Sequence, residues 1–297
     1  MKLKTLGMSA VIVLCAAFAG CGSGDVASVR EEFFSPVTET PGVGDPQPGD
    51  ATFVDRSSAI GFYTDGSIED PAVLPDESPG LLKIFRLRKR AYATATLVRT
   101  LSLAASAWRT EFPVGDRVQV GDITDSNGGS LSGHASHQNG LDVDVAYLKA
   151  NKVERDPNTN GPSGFAESFV KGGVLTSNFD LPRNWAILRN LVGRGNVGRI
   201  FVDPAIKAAF CKKAATLNPS LSAANRNEVL RRLRPYANHT DHFHLRLKCP
   251  TGHKKCVAQT EPPTGNGCSD VTGSITAQDD IRTIEQIADD ELGDDEG

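Results

Sequence analysis

Histidine is scarce in this chain, with 6 in 297 residues. All but one fall in two short segments, His134 and His137 in the first and His239, His242 and His244 in the second. No histidine lies between His137 and His239, and His253 in the basic turn 252–255 reads as an exposed side chain. No Cys-x-x-Cys pair is present, which argues against a closed, thiolate-lined structural zinc site. The apolar run from Ala10 to Ala19 falls short of the ~20 residues that a membrane-spanning helix needs. Ser132 and Ser136 have no Ser-x-x-Lys or Gly-x-Ser-x-Gly context, so a serine nucleophile is set aside. Nothing is basic and aromatic enough for nucleic-acid binding, and the formal net charge is -4.

What is present is periodic. Side chains at i and i+2 of a strand share a face, so His242 and His244 face one way and Phe243, Leu245 and Leu247 the other. Leu141, Val143 and Val145 alternate in the same manner with Asp142 and Asp144. Asn139 and Gly140 form a turn signal, which lets His137 before the turn and one acid after it converge. Two imidazoles and a carboxylate, with a fourth position left to water, make a catalytic zinc set. Spacing leaves both Asp142 and Asp144 open as the carboxylate.

Residues 1–20, with Lys2 and Lys4 ahead of the apolar run, have the layout of a secretory signal peptide. Ala19, Gly20 and Cys21 resemble a lipobox, although Phe18 stands where Leu is usual, so Cys21 is the expected lipid anchor to a membrane. Residues 21–54 are rich in Gly, Pro, Ser and Thr and read as a flexible linker. Residues 91–108, 184–192, 204–213 and 225–236 show helical patterns, and residues 118–123 and 199–202 read as strands. The unpatterned stretch 149–181 follows the metal-bearing strand and is expected to border its cleft. Arg231, Arg232 and Arg234 read as a solvated helix face. Residues 271–297 are strongly acidic and read as a disordered tail that supplies much of the negative charge. That leaves residues 55–270 as one α+β domain, an antiparallel sheet carrying the ligands with helices on its other face. Of the 6 cysteines, Cys15 leaves with the signal and Cys21 takes the lipid. Cys211, Cys249, Cys256 and Cys268 remain for two bridges in an oxidising compartment, with three connectivities open.

The segment Gly133, His134, Ala135, Ser136, His137, Gln138, then Gly140, Leu141, Asp142, Val143, Asp144 and Val145, preceded by Gly121, Asp122, Ile123 and by Gly128 and Gly129, resembles the penicillin-insensitive murein endopeptidases. These belong to a larger group with lysostaphin-type peptidases, D-Ala-D-Ala peptidases and the hedgehog signalling domain, whose shared pattern falls here on His137, Asp144 and the pair His242 and His244. Residues 200–207, 233–236, 245–250 and 262–268 extend the likeness over residues 57–268. The resemblance implies a hedgehog or D-Ala-D-Ala-peptidase-like fold and a Zn2+ ion on His137, Asp144 and His244. It leaves Asp142 to fix an imidazole tautomer, makes His242 the general base, and gives His239 and His134 to the oxyanion or to the surroundings of the metal. It also implies the bridges Cys249 to Cys256 and Cys211 to Cys268. The implied substrate is the D-alanyl to meso-diaminopimelyl cross-link between peptidoglycan stem peptides, in the periplasm or cell envelope. Some relatives bind extra ions with an Asp and a His near 149–181, where this chain has no histidine, so a second site of that kind is unsupported. A zinc D,D-carboxypeptidase and a zinc-containing cell-wall binding protein remain as alternatives; retention of His242 and His239 beside the ligands favours an enzyme.

Overall fold

A computed structural model describes residues 53–159, 165 and 167–271. The signal segment, Cys21, all but the end of the linker and the acidic tail lie outside the described residues. A seven-stranded sheet forms the centre. Its strands are β1 (Glu77–Ser78), β2 (Leu81–Lys83), β3 (Val118–Val120), β4 (Asp142–Ala146), β5 (Val197–Val202), β6 (Leu233–Pro235) and β7 (His242–Leu247). They lie in the spatial order β6-β5-β7-β4-β3-β2-β1.

The middle of the sheet is antiparallel, as expected: β7 pairs with β4 on one side and β5 on the other. The whole sheet is mixed, because β2 pairs with β3, and β5 with β6, in parallel. Each parallel pair is joined by a helical crossover, which spacing within a strand does not reveal. Helix α1 (Ala95–Glu111) lies between β2 and β3, whereas α3 (Pro204–Leu217) and α4 (Ala223–Arg232) lie between β5 and β6. The remaining long helix, α2 (Leu181–Val192), precedes β5.

The register of the central pair decides the rest. His244 stands opposite Asp144, and Arg246 opposite Asp142, while Phe243 and Leu245 oppose Val145 and Val143. One face of the pair therefore buries Val143, Val145, Phe243, Leu245 and Leu247 completely, each worth roughly 1.5–3 kcal/mol of transfer free energy. A chain of ring contacts, Phe243 to Tyr147 to Phe179 to Phe210 to Trp185, carries that core to α3 and α2. The other face is left to the polar residues.

Helix starts follow their caps. Thr94 Oγ1 accepts from Leu97 N at 3.2 Å, so α1 begins after it; Tyr92 and Ala93, expected within this helix, instead pair with Ala72 and Val73 as a short strand. Asp203 caps α3 by accepting from Ala205 N at 2.8 Å, with Pro204 in the first turn. The helix expected over 225–236 stops at Arg232, because Leu233–Pro235 joins the sheet beside β5.

The arginines of α4 correct another expectation. Arg232 is buried, donating to Glu228 at 2.7 Å, to Gly198 O at 3.0 Å and to Glu261 at 2.6 Å. Arg231 donates to Pro262 O at 2.8 Å. Together they tie the C-terminal segment to the helix. His253 is also buried rather than exposed: its Nδ1 accepts from Ala59 N at 3.0 Å. The bridge Cys249–Cys256 encloses this turn, and Cys211–Cys268 fastens the chain's last described segment to α3. Among the described residues, no helix is long and apolar enough to cross a membrane.

Candidate metal centre

Period two along β7 places His242, His244 and Arg246 on the face that the core leaves free, beside Asp142 and Asp144 of β4. The loop before β4 supplies His134 and His137, and glycine makes its path possible. Gly128 sits at φ +70°, where a Cβ would come within 2.1 Å of Gln138 O; Gly140, at φ +73°, has Ile68 Cδ1 at 2.4 Å from the same position. His137 itself adopts φ 71°, a left-handed conformation that a non-glycine residue holds only when its surroundings impose it. Those surroundings include a bond from His137 Nδ1 to Ile123 O at 2.8 Å and one from its backbone N to Asp142 at 3.3 Å.

With Nδ1–H donating to a carbonyl, the neutral ring of His137 turns a lone pair at Nε2 towards Asp144 Oδ1, 3.3 Å away. That nitrogen is buried and has no hydrogen-bond partner among the described residues. Two facing lone pairs repel, so the place calls for a positive charge between them, a proton or a metal ion. Burial alone would lower the His137 imidazole, but the Asp144 carboxylate outweighs it and raises its pKa. Asp144 shows the reverse side of this balance. Burial would raise it, yet His137 and His242 hold it well below the usual carboxylate range.

The neighbouring carboxylate is engaged differently. Arg246 donates to both oxygens of Asp142, at 2.8 and 3.1 Å, in the bidentate geometry that planar guanidinium favours. Against the cost of burial, Arg246 and His244 keep Asp142 far below the ordinary carboxylate range. His244 Nε2 lies 3.0 Å from Asp142 Oδ1 and its Nδ1 lies 3.5 Å from Asp144 Oδ1. Burial drives the His244 pKa down to about 4, so the ring is neutral at neutral pH. Its Nε2 is buried beside Asp142 Oδ1 without a hydrogen bond of good geometry among the described residues, and its Nδ1 lies on the Asp144 side.

His134 repeats this bridging arrangement from the loop. Its Nε2 is 3.3 Å from Asp122 Oδ2 and its Nδ1 3.5 Å from Asp144 Oδ2. Asp122 is buried and also accepts from Arg88 at 2.8 Å and Arg90 at 3.0 Å. Burial would raise its pKa; the bonds from His134 and Arg88 take it instead to about 2. His242 directs Nε2 towards Asp144 Oδ1 at 3.6 Å and Nδ1 to Asp241 Oδ1 at 2.6 Å. Its pKa is raised because Asp144 and Asp241 outweigh its burial. His239 stands 5.0 Å from His242 between ring centroids, and burial, assisted by the charge of His242, lowers its pKa.

The structure thus gathers His134, His137, His239, His242, His244 and Asp144 around one cleft of about 270 Å³. Among the described residues, His134, His137 and Asp144 form a donor group whose ligating atoms all lie within 4.8 Å of one another. These imidazoles and the carboxylate, together with the orphaned Nε2 of His137, fit a divalent metal ion. Sequence reasoning missed Arg246, although period two from His242 and His244 puts it on the same face. It also missed Asp122 as the partner of His134, the contact of Asp241 with His242, and Tyr236, which lines the cleft.

A model of the penicillin-insensitive murein endopeptidase family matches residues 59–290. The chain is 32% identical over 217 residues to the penicillin-insensitive murein endopeptidase of Haemophilus influenzae, an alignment that covers 72% of each. Against the enzyme of that name from Klebsiella pneumoniae it is 29% identical over 213 residues, covering 71% of this chain and 74% of the relative. Against that of Escherichia coli K12 it is 30% identical over 225 residues, covering 75% and 76%. By the extent of these matches, the chain belongs to the penicillin-insensitive murein endopeptidase family.

Proposed function

We propose that residues 55–270 form a zinc-dependent peptidoglycan endopeptidase that hydrolyses the D-alanyl to meso-diaminopimelyl cross-link. The observation that carries this reading is the buried, unpartnered Nε2 of His137 facing Asp144, with His244 in register across the strand pair. On this reading His137, Asp144 and His244 hold the ion. Zinc supplies a Lewis acid for the scissile carbonyl and lowers the pKa of a water from about 15.7 to about 7.

The rest of the chemistry falls to side chains. His242 turns Nε2 into the cleft beside Asp144, where it accepts the proton of the attacking water and returns it to the leaving amine. His134 and His239 are assigned to the developing oxyanion. Because His239 Nδ1 lies 3.0 Å from Ala237 O, it offers a donor to the cleft only when protonated, and its lowered pKa confines that contribution to the acidic range. Asp142 fixes the His244 tautomer and neutralises Arg246.

A second ligand reading replaces His244 with His134, and the closeness of His134, His137 and Asp144 favours it. We prefer His244 because it is a strand residue held in register opposite Asp144, whereas His134 stands on a loop. Export fits the same reading: two bridges, Cys211–Cys268 and Cys249–Cys256, belong to an oxidising compartment such as the periplasm. The membrane anchor at Cys21 completes it. Digestion of purified cross-linked muropeptides decides the reaction. Mass analysis should find dimers converted to monomers; loss of alanine alone would indicate a carboxypeptidase, and no change a binding protein.

A further inference from the structure

Asp241 is adjacent to His242 in sequence but lines a different space. Its Oδ1 meets His242 Nδ1 at 2.6 Å, and its own surroundings are a second cavity of about 380 Å³ shared with Gln119, Arg155 and Phe165. The wall between this cavity and the histidine cleft is the His242 ring stacked on Phe165, centroids 4.8 Å apart and planes 20° from parallel. The imidazole is therefore gripped on one edge by a carboxylate and on one face by a phenyl ring. Its remaining nitrogen, Nε2, lies on the cleft side, 3.6 Å from Asp144 Oδ1. Arg155 lines the same cavity as Asp241.

We propose that Asp241 is a positioning residue for catalysis: it accepts Nδ1–H of His242, fixes the tautomer whose Nε2 carries a lone pair, and holds that lone pair aimed into the cleft. The proposal rests on the reading of His242 as general base. An imidazole without such a partner exchanges tautomers and rotates about its Cβ–Cγ bond, and either change takes the acceptor away from the reacting water. Asp241 does this work from the side of the ring away from Asp144, so it contacts neither the cleft nor the reacting atoms. Its removal should weaken turnover without weakening substrate binding.

The test uses the full chain loaded with zinc and purified cross-linked muropeptide dimers. Asp241→Ala should lower kcat about 10- to 100-fold, the usual range for a residue that orients another, with KM and zinc content unchanged. Asp241→Asn should recover part of the loss, because its amide oxygen still accepts Nδ1–H. In a His242→Ala background, removing Asp241 should have no further effect, since the two act as one unit. Nitrogen-15 NMR of the imidazoles supplies a readout apart from activity: His242 should carry its proton on Nδ1 in the parent and shift towards the Nε2–H form in Asp241→Ala. A raised KM with unchanged kcat, additive losses in the double variant, or an unchanged tautomer would overturn the proposal. Should His242→Ala alone keep full turnover, the general-base reading falls by itself, and the tautomer measurement still decides whether Asp241 orients the ring.

Discussion

Asp142 and Asp144 lie two residues apart on one face of one strand, both buried, and their surroundings differ in one respect. Asp142 is neutralised by a permanent cation, the guanidinium of Arg246, bonded to both of its oxygens. Every ion-pair neighbour of Asp144 among the described residues is an imidazole: His134, His137, His242 and His244. An imidazole near neutral pH supplies a proton or a lone pair according to what else is present. One carboxylate is thus balanced by a fixed cation of the protein and the other by imidazoles alone. On the proposed reading, this contrast separates a structural ion pair from a metal ligand where the spacing of the residues does not.

The comparison breaks if either carboxylate behaves like the other. Asp144→Ala should lose zinc and all measurable muropeptide cleavage, while its metal-free form unfolds in urea close to the parent midpoint. Retention of zinc by this variant would contradict the assignment. Next in size, His242→Ala should keep its zinc yet fall ~10²- to 10⁴-fold in rate, as expected for removal of a general base; metal analysis and turnover on one preparation check both halves. Asp142→Ala should lose on the order of 3–5 kcal/mol of stability, because Arg246 is left buried without its partner. Urea unfolding of the metal-free protein measures this, and an unchanged midpoint would show that Arg246 finds another partner.

The smallest effect concerns Asp122, which supports His134 from behind. Its folded pKa of about 2 lies below the ordinary value of 3.8. A depressed carboxylate stabilises the fold above its unfolded pKa and loses that contribution as pH falls through the folded one. Stability should therefore drop between about pH 4 and pH 2, and Asp122→Asn should remove on the order of 2 kcal/mol of that dependence. Acid titration of thermal unfolding gives the answer; identical profiles for parent and variant would refute it.

How much of this was legible in the sequence follows from where each residue's environment comes from. The face shared by His242 and His244 and the face shared by Asp142 and Asp144 are properties of a strand's own period, and both appear as expected. The convergence of His137 on β4 depends on a short loop whose turn residues, Asn139 and Gly140, are visible as such. The burial of Arg232 and His253 comes from residues 253–262 folding back against distant elements, and nothing local announces it. Phe165 lies in a stretch without periodicity, so its stacking on His242 had no sequence signal. The parallel strand pairs are likewise set by the helical crossovers that return the chain to the sheet.

Crystals of the zinc-loaded protein, with anomalous scattering measured on either side of the zinc absorption edge, test the central claim most directly. One peak should appear within bonding distance of His137 Nε2, an Asp144 oxygen and His244 Nδ1, with Asp142 still paired to Arg246. A peak bonded to His134 in place of His244 would establish the second ligand reading, and a peak on Asp142 would contradict the distinction between the two carboxylates.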